Sequence, residues 1–103
     1  MKIDLLYFDG CPSWEGGMQN LMAALEAEGL EAEIDLVNVR DETQAARLKF
    51  LGSPSFQLDG VDWWPEERAD YQLSCRVYST PQGMRGAPTI EMLREKLRAV
   101  VTK

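Results

Sequence analysis

Apolar residues recur along this chain at two different periods, and the changes of period mark its elements. Residues 3–8 (Ile3-Asp4-Leu5-Leu6-Tyr7-Phe8) make a short, nearly continuous apolar run, which suits a central strand covered on both faces. Gly10 and Pro12 then break the chain, and Pro12 fits the first position of a helix, where its missing N–H costs nothing. From there the apolar positions fall at Trp14, Met18, Leu21, Met22 and Leu25, a helical spacing that Gly29 ends. Gly16-Gly17 weakens the first turns of that helix, by about 1 kcal/mol per glycine relative to alanine.

Residues 34–39 read as a second strand. Asp41 caps a short helix over 42–51, with Ala45, Leu48 and Leu51 on one face. Gly52-Ser53-Pro54-Ser55 interrupts it, and residues 55–58 form a third strand closed by Asp59-Gly60. A polar and aromatic stretch follows from Val61 to Asp70. Residues 73–78 alternate at period two, which sets Leu73, Cys75 and Val77 on one face and Ser74, Arg76 and Tyr78 on the other. Pro81, Gly83 and Gly86 mark a loop, and Pro88 opens a last helix with Ile90, Leu93, Leu97, Val100 and Val101 on one stripe. The order β-α-β-α-β-β-α predicts one α/β domain over 1–103, a four-stranded mixed sheet with helices on both faces. A right-handed crossover makes the first two strands parallel, and a modest connection makes the last two antiparallel.

Composition narrows the function classes. The 103 residues carry a net charge of -6 and no Lys/Arg block, which argues against nucleic acid and anionic membranes as partners. No run approaches a membrane span, and the N-terminus enters a strand pattern with no secretory leader, so the expected compartment is the cytoplasm. There is no histidine, which removes the usual hydrolytic triads, and two cysteines alone cannot fill a four-ligand zinc site. No phosphate loop or cofactor motif is present, and no cofactor is expected.

The chemistry that remains is that of thiols. Cys11 lies where the first strand gives way to the first helix, near unpaired N–H groups and the positive end of the helix dipole, which favour thiolate. One reading is an exposed nucleophile helped by the Ser13 hydroxyl; the other is an inert residue tucked at a helix start, favoured by the negative charges of Asp9 and Glu15. Cys75 reads first as a small buried hydrophobe. Trp14 falls on the core stripe. Trp63-Trp64 marks either a contact surface, for a peptide or a second copy in a homodimer, or packing over a sheet edge. Arg76 reads as solvated or ion-paired.

The element order, with Phe8-Asp9-Gly10-Cys11-Pro12 at the first strand–helix junction and Gly52-Ser53-Pro54 before the third strand, resembles the thioredoxin-like family. It is most similar to small bacterial members that carry Gly-Cys-Pro near the start and Ser-Cys-Arg-Val-Tyr late, here Gly10-Cys11-Pro12 and residues 74–78. The resemblance covers nearly the whole chain. Where redox-active relatives have Cys-x-x-Cys, this chain has Cys11-Pro12-Ser13-Trp14. The resemblance implies a thioredoxin-like fold, a cis bond before Pro54, and thiol–disulfide exchange in which Cys11 attacks a substrate disulfide. It implies that Pro12, Ser13, Trp14, Ser53 and Pro54 contact a protein or low-molecular-weight thiol or disulfide. Cys75, brought back to the same end of the sheet, is the candidate resolving thiol; an external reductant is the alternative. A two-coordinate thiolate site for Cu(I) or Hg(II), and a redox-inactive binding or dimerisation module, are the other classes left open.

Overall fold

The computed structural model describes residues 1–101; the last two residues of the expected domain lie outside the described residues. It is a mixed α/β structure built on a four-stranded mixed sheet and three helices. Strands β1 (Lys2–Tyr7), β2 (Glu33–Asn38), β3 (Ser55–Leu58) and β4 (Val61–Asp62) lie in the order β2-β1-β3-β4. β1 and β2 are parallel from Lys2↔Glu33 to Tyr7↔Asn38, whereas β3 runs antiparallel to β1 through Leu5↔Phe56. Helices α1 (Trp14–Ala27), α2 (Glu42–Leu48) and α3 (Ile90–Val101) and the hairpin β5 (Tyr78–Thr80)–β6 (Gly83–Arg85) complete it.

The pleat of β1 divides the core in two. Ile3 and Leu5 pack with Leu21, Ala24 and Leu25 of α1 and Leu93 and Leu97 of α3, while Leu6, on the opposite side, packs with Val39, Ala45 and Phe50 next to α2. β1 is therefore covered on both faces, as its continuous apolar run predicts. Each of the Leu, Ile, Val and Phe side chains among them contributes about 1.5–3 kcal/mol by its burial. Asp41 caps α2 by accepting the Gln44 N–H at 2.7 Å, and Thr89 caps α3 by accepting the Met92 N–H at 3.1 Å. No helix among the described residues is long and apolar enough to cross a membrane.

Three expectations need correction. The fourth strand is Val61–Asp62, not residues 73–78. Asp59 and Gly60 both take positive φ, the geometry of a tight hairpin, so the chain turns back beside β3 at once and fills that position. Among the described residues, 73–77 form no strand of the sheet; their backbone makes one parallel bridge, Ser53↔Cys75, just before β3. Their faces are also reversed: Arg76 and Tyr78 are buried, whereas Cys75 and Val77 are exposed. The reversal has a local cause, a buried carboxylate waiting for the arginine. Helix boundaries shift too. α1 starts at Trp14, after Pro12, and α2 stops at Leu48 because Lys49 adopts a left-handed conformation.

Candidate thiol site

β1 delivers the chain to a turn in which the Cys11 N–H donates to the Phe8 carbonyl at 3.1 Å. That turn sets Cys11 against the segment leading into β3. Its thiol donates to the Ser53 carbonyl at 3.3 Å, and the Phe8 N–H donates to Ser53 Oγ at 3.4 Å. Ser53, Pro54 and Ser55 are all buried, and the Ser53–Pro54 bond is cis. Pro54 rests directly on α1. A Cβ added to Gly17 would stand 2.9 Å from its Cγ, so the glycine that weakens the helix is also what lets the proline approach it. The far side of the turn is closed by Gly86, where a Cβ would overlap the Ser13 hydroxyl. So enclosed, Cys11 is only 4% exposed, and the expectation of an exposed nucleophile at this position fails.

Cys75 comes to the same place from the other direction. The Ser53 N–H donates to the Ser74 carbonyl at 2.8 Å, and the Arg76 N–H donates to the Ser53 carbonyl at 3.0 Å. Cys75, between them, is exposed as a residue, yet its thiol is pushed up above the ordinary range. Partial loss of solvent around the sulfur is the first cause, and the neighbouring Cys11 adds to it. Both cysteines are thus set against the Ser53 peptide unit, Cys11 through its bond to the Ser53 carbonyl and Cys75 through the backbone bridge beside it, and both are free.

Arg76 holds that arrangement. Its guanidinium, 3% exposed, pairs with the Asp62 carboxylate, 6% exposed, at 2.8 Å. It also donates to Ser55 Oγ at 3.2 Å and to the Trp64 carbonyl, and its carbon lies 4.9 Å from the Tyr78 ring centre. Asp62 accepts in addition the Trp64 N–H at 2.7 Å. The Tyr78 hydroxyl donates to the Pro54 carbonyl, and burial pushes its pKa well above the usual phenol range. Around this cluster Trp63 stacks on Phe56 and Trp64 meets Tyr78 edge-on, so the tryptophan pair packs over the sheet, with Trp63 buried and Trp64 half-buried.

Of the residues expected to contact substrate, Pro12 is exposed and Ser13 half-buried, and Trp14 stacks on Tyr7 with ring centres 4.1 Å apart. Arg76 as a buried anchor, and Asp62 altogether, escape a reading of the sequence. The signal available was an arginine inside an apolar alternating run beside a cysteine, which asks for an acidic partner. A cavity of 720 Å³ lined by Tyr7, Asn38, Arg40 and Arg47 lies beyond the second strand, and neither thiol lines it. Among the described residues no group of three or more His, Cys, Asp or Glu side chains is placed to hold a metal ion. Comparison with known proteins finds no matching family model, no matching curated protein and no matching solved structure.

Proposed function

We propose that the chain is a thioredoxin-like dithiol–disulfide exchange protein whose working pair is Cys11 and Cys75. The observation that carries this reading is that both cysteines lie against the one Ser53 peptide unit, Cys11 by its thiol and Cys75 by its backbone bridge. The strand order, with Cys11 after the first strand and Ser53-Pro54 before an antiparallel third, supports the thioredoxin-like assignment. The burial of Cys11 assigns the roles. Cys75 is the sulfur that solvent reaches, so it forms the bond to the outside partner, and Cys11 resolves it.

The Cys75 thiolate attacks a disulfide RS–SR, forming Cys75–S–SR and releasing RS⁻. The Cys11 thiolate then attacks Cys75 Sγ, forming the Cys11–Cys75 disulfide and releasing the second RS⁻. Two electrons pass from the protein to the substrate, and the two thiol protons end on the released thiols. The raised Cys75 pKa keeps it a thiol at neutral pH, so the forward rate climbs as pH rises through the alkaline range. The setting that suits this cycle is a reducing cytoplasm.

Equilibration with dithiol redox buffers, quenched in acid and alkylated, tests the reading. A Cys11–Cys75 disulfide forming at a potential between about -270 and -120 mV is expected, within the span of known exchange proteins. A pair that stays reduced at every poise contradicts it. The same juxtaposition of thiols favours a second reading, a two-coordinate site for Cu(I) or Hg(II). That reading predicts a thiolate-to-metal absorption band with one ion per chain, lost in either cysteine-to-serine variant.

A further inference from the structure

Ser53 has no backbone group left to offer a ligand. Its N–H is given to the Ser74 carbonyl, and the two acceptor positions of its own carbonyl are taken by the Arg76 N–H and the Cys11 thiol. An extended peptide laid beside Cys11 would need those groups, because unpaired strand N–H and C=O are what an added strand recognises. Residues 74–76 already lie there, bridged to Ser53 in parallel register through their central residue, Cys75, while the Cys11 thiol donates to the carbonyl of the same Ser53.

This segment is pinned at both edges. On one side Gly52, at φ +114°, lies so close that a Cβ there would stand 3.0 Å from the Arg76 Cα and 3.1 Å from its nitrogen. On the other the Arg76 guanidinium is tied to Asp62, Ser55 and the Trp64 carbonyl. Peeling the segment away would draw Arg76 out with it and leave the buried Asp62 carboxylate without its partner, a strongly disfavoured change. Only the exposed side of Cys75 stays approachable.

We propose, resting on the exchange reading above, that residues 74–76 permanently fill the strand-docking position beside Cys11. The exchange partner is then a low-molecular-weight thiol or disulfide that reaches Cys75 end-on, not an extended polypeptide. The electron balance is that given for the exchange step, with RS–SR a small disulfide.

The test compares two probes on the reduced protein by stopped flow: bis(2-hydroxyethyl) disulfide, small and uncharged, and an unstructured polypeptide bridged by one disulfide. Each rate is divided by that of the same probe with free dithiothreitol, which removes intrinsic reactivity. The normalised rate for the small disulfide is expected to exceed that for the polypeptide by at least about tenfold. Equal rates, or a preference for the polypeptide, overturn the proposal while leaving the dithiol pair standing. Failure of both probes to yield the Cys11–Cys75 disulfide overturns the exchange reading and this proposal with it. Amide exchange gives an independent check: Ser53 and Arg76 N–H groups protected in the reduced protein support the seated segment, and exchange at free-peptide rates overturns it.

Discussion

Replacing Asp62 with alanine strands the Arg76 guanidinium in a protein interior. The pair is 2.8 Å long, with side chains 3% and 6% exposed, so water is poorly placed to substitute for the lost carboxylate. Removing one member of such a buried pair ordinarily costs about 3–5 kcal/mol. Two features move the expectation to the lower end of that range. Arg76 keeps its bonds to Ser55 Oγ and the Trp64 carbonyl, and the half-exposed Glu66 carboxylate already lies 3.6 Å away. A loss of about 3 kcal/mol follows, a large share of the roughly 5–15 kcal/mol that holds a domain of this size together. Urea unfolding followed by tryptophan fluorescence reads it directly, because Trp63 and Trp64 adjoin the pair. The double variant Asp62→Leu/Arg76→Met should recover most of the loss, since apolar replacement of a buried ion pair is often neutral or stabilising. A loss below about 1 kcal/mol for Asp62→Ala, the worth of a solvated surface pair, would refute the claim that this pair anchors the Cys75 segment.

The adjacent helix glycines should respond with opposite signs. Gly16→Ala meets nothing within 4 Å and is expected to stabilise by up to about 1 kcal/mol, whereas Gly17→Ala drives a methyl against the buried Pro54 ring and is expected to cost about 1–3 kcal/mol; parallel urea melts giving the same sign for both contradict this. Tyr78→Phe leaves the Pro54 carbonyl without its hydroxyl donor and should cost about 1–2 kcal/mol at pH 8. The Tyr78 phenol binds its proton more tightly folded than unfolded, so its contribution is complete below about pH 10 and is lost as pH rises beyond it. The gap between wild type and Tyr78→Phe should therefore narrow between pH 8 and pH 11, and a constant gap in denaturation midpoints counts against the assigned burial.

What could be read in the sequence was whatever is encoded locally. The double-faced burial of Leu5 and Leu6, the cap at Asp41 and the apolar stripe of the last helix all follow from period and composition, and the structure shows them. The placement of both Cys11 and Cys75 against Ser53 has no such signature; no spacing encodes it, and strand topology together with a resemblance pointed there. Arg76 and Asp62 lie outside local logic as well, because alternation assigns the apolar side inward and a Coulomb partner fourteen positions away overrides it. Asp59-Gly60 was a stronger signal than strand closure alone, since a tight turn there decides both the fourth strand and the burial of Trp63 over Phe56. Gly17 looks like a flaw in a helix until Pro54 is placed against it.

The most direct measurement is intact mass after titration with diamide and alkylation, on wild type beside Cys11→Ser and Cys75→Ser. The proposed pairing of Cys11 with Cys75 predicts a monomer that loses two hydrogens and takes up no alkylating reagent, with neither variant doing so. Before oxidation, the exposed Cys75 should label faster than the buried Cys11 at alkaline pH. Wild type that oxidises only by linking two chains, or whose thiols remain separately alkylated throughout the titration, would contradict the account at its centre.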